Sequence, residues 1–192
     1  MCDEKLLDRA ITLLFGHGWK RDRRRALGML RQCEDDPRVQ NLIGYCYDMG
    51  CGVRRSGKEA VRWYRRAAVH GNAEAHFNLG VCFERGLGVA PDARLACRHY
   101  RIAADKASRE AQCNLGLMLL DGNGCSPDLR AGLRLLRLAA KKGDAKAQFN
   151  LAVIYLDGTL GRCYRTHARR LLVKARKAGN PRAARLLSKL DA

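Results

Sequence analysis

Chemistry in this chain would have to start from its 9 cysteines, its 5 histidines and its 19 carboxylates. A thiolate is a nucleophile and a metal ligand once a nearby cation lowers its pKa. Cys51, with Arg54 and Arg55 just beyond it, fits that description best. The surrounding pattern does not extend it. No C-x-x-C pair occurs and the histidines are scattered, so no metal site and no cofactor are expected. The chain has no G-x-S-x-G, S-x-x-K, H-E-x-x-H or P-loop motif. The stretches GLGVAP and DGNGCSP look like phosphate-cradling loops, yet they follow helical patterns, not strands. Asp48, Glu84, Asp121 and Asp157 fall near turns, where a carboxylate caps or is solvated. The residues point away from catalysis.

The positions of these residues obey a ruler. Gly50, Gly86, Gly122 and Gly158 are each 36 residues apart, as are Ala67, Ala103, Ala139 and Ala175. Gly44, Gly80 and Gly116 share another register, completed by Ala152. A period between about 20 and 50 residues marks a solenoid, in which each repeat buries its apolar side against its neighbours. The cysteines follow the same ruler as substitutes. Cys46 and Cys82 stand where later repeats have Met118 and Ile154, Cys97 where others have Val61 and Leu133, and Cys113 where others have Phe77 and Phe149. They read as buried free thiols.

Four full repeats are expected at 37–72, 73–108, 109–144 and 145–180. Each reads as helix A, a glycine turn, helix B and a short return. A degenerate first repeat is expected at 4–36, with Gly16-His17-Gly18 as its turn, and a capping helix at 181–192. In helix A of the second repeat, Leu79 and Phe83 face the core and Gly80 allows helix B to approach. Gly86 and Gly88 end that helix, and Pro91 with Asp92 starts the next. Asn78, Asn114 and Asn150 form a ladder expected to hydrogen-bond within each repeat. The fourth repeat departs, with GTLGR in its turn and Leu171-Leu172 in place of Trp-Tyr.

The segments LIGYCYDMGCGV with EAVRWYRRAAVHG, and NLGVCFERGLGV with CRHYRIAA, resemble the Sel-1-like repeat family, a relative of the tetratricopeptide repeat. The resemblance covers 37–180 in four in-register copies and extends weakly to 4–36. It implies an all-α, right-handed α-α superhelix of antiparallel helix pairs. It also implies a scaffold or adaptor in a multiprotein assembly and no enzyme. One branch of the family is secreted and ties each helix pair with a disulfide; the cysteine positions here do not follow that plan. The N-terminal segment MCDEKLLDRAITLLF lacks the basic start and continuous apolar run of a signal peptide, and no run of about 18 apolar residues occurs. A cytoplasmic location is the expectation.

Two surfaces remain for a partner. The formal charge is +18, with 27 arginines against 10 lysines, and the four B segments together carry all of it. Lys58, Arg94 and Arg130 form one ladder, Arg62, Arg98, Arg134 and Arg170 a second, Arg65, Arg101 and Arg137 a third. Spaced four and three, they share a helix face, the convex one in this repeat class. A solvated face, an acidic protein partner, and nucleic acid or an anionic surface all fit. Against nucleic acid, few aromatics interleave the ladders for base stacking. The A helices carry a row that grows apolar along the chain: Asn41, Tyr45, Asp48; Phe77, Val81, Glu84; Cys113, Leu117, Leu120; Phe149, Val153, Leu156. Packing between A helices and a concave groove for an apolar peptide or helix both fit it. His76, Gln112 and Gln148 lie beside the row, placed to contact a bound backbone. The expected function is a protein-binding adaptor using this groove, with the basic face favouring acidic partners; the alternative is nucleic-acid or anionic-surface binding through the arginine ladders.

Overall fold

The computed structural model describes residues 3–161 other than 17–21, and 163–191. Among the described residues it contains eleven α-helices and no strand. They are α1 (Glu4–Phe15), α2 (Arg23–Leu30), α3 (Pro37–Met49), α4 (Gly57–Val69), α5 (Ala73–Arg85), α6 (Ala93–Asp105), α7 (Arg109–Asp121), α8 (Leu129–Lys141), α9 (Ala145–Leu156), α10 (Arg165–Lys177) and α11 (Pro181–Asp191). The chain divides into two compact units, Met1–Ile102 and Ala103–Ala192, with the boundary inside α6.

A periodic set of side-chain caps sets the helix starts. Asp36, Asn72, Ser108, Asp144 and Asn180 each accept a hydrogen bond from a backbone N–H in the first turn of an A-type helix. Ser56, Asp92 and Asp128 do the same for α4, α6 and α8. Tyr164 stands at the corresponding place before α10 and makes no such bond. The ends of α3, α5 and α7 are set by Gly50, Gly86 and Gly122 at φ 69, 70 and 68, the left-handed region that a Cβ makes costly.

In the N-terminal unit, α1 packs on α2, α3 on α4 and α4 on α5. Leu7, Leu14, Leu30 and Ile43 anchor one cluster, and Tyr64, Leu79 and Cys82 another. A Cβ added to Gly44 would sit 2.6 Å from the Tyr64 ring, and one on Gly80 2.5 Å from the Tyr100 ring. The A and B helices thus touch through a flat aromatic laid on bare backbone. In the C-terminal unit the B residue is Leu136 or Leu172, and the A residue is Gly116 or Ala152. The ring is lost at Leu136, where Gly116 is kept, and the extra methyl appears one repeat later at Ala152. The first-repeat turn expected at 16–18 lies partly outside the described residues; Gly16 itself ends α1 at φ 81.

The fourth-repeat turn differs as its sequence does. Helix α9 ends on Asp157 in right-handed conformation, and Gly158 and Gly161 take the positive φ values. Asp157 accepts from the Thr159 backbone N–H and hydroxyl, which hold its carboxyl below the usual range.

Candidate functional site

The ten basic residues of the three ladders, Lys58, Arg62, Arg65, Arg94, Arg98, Arg101, Arg130, Arg134, Arg137 and Arg170, are all exposed. Among the described residues only Arg62 of this set lies within 4.0 Å of a carboxylate, that of Glu59. Arg137 donates to the Tyr155 hydroxyl at 3.3 Å, and Arg65 lies over the Phe83 ring, 6.0 Å from its centroid. Each unit therefore carries a face of one sign. Such a face repels itself weakly and gains from a polyanionic neighbour.

The A-helix row is half-exposed. Tyr45, Phe77 and Val81 in the N-terminal unit, and Leu117, Leu120, Phe149, Val153 and Leu156 in the C-terminal unit, are all partly buried. Leu117 and Leu120 also lean on the core of their unit, as do Phe149 and Leu156. Tyr45 packs on Phe15 and Phe77 on Tyr100. The row both packs its neighbours and leaves apolar surface for something else.

The three polar residues beside the row are placed differently from the sequence expectation. Gln112 and Gln148 are buried, and their amides donate to the backbone carbonyls of Ala104 and Ala140. Gln40, at the same position of the first full repeat, donates to the Glu34 carbonyl. These amides satisfy carbonyls at or just beyond the end of the preceding B helix or turn, and so are turned inward, away from a bound backbone. His76 replaces glutamine in this series and is also buried; its Nδ1 lies 3.0 Å from Nδ1 of His99. His99 in turn stacks on Phe83 at 8°. Burial, with His76, Arg98 and Arg65 adding positive potential, pushes the His99 pKa down to about 4.

The asparagine ladder is also corrected. Asn78 donates to Asn41 Oδ1, and Asn41 donates to Glu74, so the link runs between repeats. Lys146 donates to Asn114 Oδ1, again across repeats. A helix surface at this position faces its neighbour, which the within-repeat reading overlooked. Glu84 accepts the Tyr100 hydroxyl. Asp48, 36 positions earlier, is one methylene shorter, and the buried Tyr64 hydroxyl has no hydrogen-bond partner among the described residues.

Cys46, Cys51, Cys82, Cys97 and Cys113 are buried free thiols. Burial pushes Cys46 and Cys113 up to about 12 and Cys82 up to about 11, the opposite of activation. The described residues contain no cluster of three or more potential metal ligands.

Sequence reading missed one feature. Helix α11 repeats the A pattern: Ala183 and Leu187 are buried, 36 residues beyond Ala147 and Leu151. The row therefore has a further step, in which Arg185 and Lys189 follow Phe149 and Val153. A cleft of about 470 Å³ lies between the two helices. The signal was available by adding 36 to the last row.

The Sel1 repeat family model matches residues 37–72, 73–108, 109–144 and 145–180. The chain belongs to the Sel1 repeat family. A Sel1 repeat protein from Oxalobacter formigenes is similar at 28% identity and TM-score 0.84, over 96% of this chain and 72% of that one. The protective antigen c5321 of uropathogenic Escherichia coli, described as having an SLR fold, is similar at 27% identity and TM-score 0.79; this chain is covered over 97% but spans only 40% of that protein. A Sel1 repeat protein from Klebsiella pneumoniae, 16% identical at TM-score 0.55, shares the fold. No curated protein matches this chain significantly. The all-α repeat solenoid thus stands, and Sel1 repeats generally mediate protein–protein interaction.

Proposed function

We propose that this Sel1 repeat chain is a non-enzymatic adaptor that binds a protein partner through its A-helix row, with the basic B-helix face favouring acidic partners. The observation that carries it is the half-exposed apolar row within each unit, on helices whose polar neighbours are committed inward. An apolar row framed by fixed elements suits an apolar helix or extended peptide. The cations of this face add long-range attraction for an acidic surface, raising encounter rate more than affinity. The free buried thiols of Cys46, Cys51, Cys82, Cys97 and Cys113 suit a reducing, cytoplasmic compartment.

Crosslinking mass spectrometry with the full chain as bait tests this. Crosslinks should fall on the A-helix row. Phe77→Ser with Val81→Asp should remove those in the N-terminal unit, and charge reversal at Arg62, Arg98 and Arg134 should leave them largely intact. Crosslinks confined to B helices would overturn the reading. The second reading, nucleic-acid or anionic-surface binding, rests on the one-sign faces. It requires retention of nucleic acid at physiological salt with steep salt dependence, lost on the same charge reversals.

A further inference from the structure

We propose that the cleft between α9 and α11 is a docking site for an acidic polypeptide segment that plants one large apolar side chain in it. This rests on the protein-binding reading above and deepens it to one place and one partner chemistry. Phe149, Val153 and Leu156 of α9 supply one wall, and Leu186 of α11 extends the apolar floor. Arg182, Arg185 and Lys189 supply the rim; spaced three and four along α11, they lie on one helix face. The cleft is shallow and broadly open to solvent, and its volume of about 470 Å³ is within the range of natural ligand sites.

Charge decides the occupant. The rim holds three cations and one carboxylate, Asp157, which is already engaged by Thr159. The three rim cations are exposed and have no carboxylate within 4.0 Å among the described residues. An all-apolar segment would fill the floor and leave the rim's self-repulsion untouched. An apolar anchor flanked by Asp or Glu satisfies both. A second copy of this chain fits less well: its formal charge is +18, so two copies repel rather than satisfy the cationic rim. Contrast within the repeat series sharpens the point. At the row positions held by Phe149 and Val153, α5 carries Phe77 and Val81, while α11 alone carries Arg185 and Lys189. The cleft thus pairs an apolar wall with a cationic one.

The test pans a random peptide phage library on the full chain, then measures a labelled synthetic copy of an enriched peptide by fluorescence polarisation. Enriched peptides should share a large apolar residue flanked by Asp or Glu. Arg185→Glu with Lys189→Glu should weaken binding roughly tenfold or more, and Val153→Trp should block it sterically. Arg24→Glu with Arg54→Glu should change affinity by less than about twofold, since those exposed charges are distant in sequence and outside the ladders. Unchanged thermal melting shows that the variants fold, and the surface charge pair is informative even if Val153→Trp does not. Affinity untouched by the α11 charge pair overturns the proposal. So does displacement by sodium laurate at lower concentration than by unlabelled peptide, which makes the occupant a lipid anion. Sedimentation showing self-association abolished by the same pair makes the occupant a second copy, and also overturns it. Peptides that are enriched but lost only on Phe77→Ser with Val81→Asp sink the cleft and leave the adaptor reading standing. Enrichment of no peptide sinks both.

Discussion

Gly80 and His99 show how single positions set the energetics of the second repeat. The Tyr100 ring occupies the space a Cβ on Gly80 would need, at 2.5 Å. Gly80→Ala should therefore cost about 1–3 kcal/mol by overpacking, despite the gain in helix propensity. Gly116→Ala meets the Gly132 carbonyl oxygen and the Leu136 side chain, both at 3.0 Å, a milder approach than 2.5 Å, and should cost less; urea unfolding of the two variants measures the difference. His99 gives a pH dependence whose sign follows from its depressed pKa of about 4. The folded chain holds the neutral ring, and the unfolded chain takes up a proton below the ordinary value near 6.5. The contribution is complete above about 6.5 and is lost as the pH falls toward 4. Between pH 7 and 5 the wild type should lose about 1 kcal/mol more than His99→Leu, which places the third repeat's residue there. Equal losses would show that His99 does not titrate in this window.

At the scale of elements, the caps carry the period as faithfully as the glycines do. Asp128→Ala should destabilise α8 by about 1 kcal/mol, and amide exchange should accelerate in its first turn. The first turn of α10, with no side-chain cap, should already exchange faster than that of α8 in the wild type. Helix positions, turns and the Gly80 contact were legible because each follows from one residue type at one spacing. The roles of Gln112, Gln148 and Asn78 were not. A polar side chain beside an A-helix row can turn outward to a ligand or inward to a neighbour's carbonyl, and spacing along one helix does not separate the two. The cleft is hidden in the sequence for another reason: α11 has the A pattern but a charged row, so its leucines alone signal no more than a capping helix.

For the whole molecule, a formal charge of +18 is a standing cost. Each ion pair among the described residues has an exposed cation, so the pairs offset little of it. Raising ionic strength from about 0.01 M to about 0.15 M cuts the screening length from about 30 Å to about 8 Å. The melting temperature should rise over that range, and rise less in the variant with Arg62, Arg98 and Arg134 reversed; a flat profile would mean the faces are too far solvated to repel. The two units also differ in optical character. Burial, with Asp48 nearby, drives the Tyr64 phenol well above its ordinary pKa, whereas the same position in the C-terminal unit is filled by Leu136 and Leu172. Tyr64 is thus a native chromophore that stays dark in an alkaline titration until its own surroundings open. Its delayed phenolate absorbance reports the N-terminal unit alone, and following it beside the helical signal would show whether the two halves of the chain come apart together or in turn.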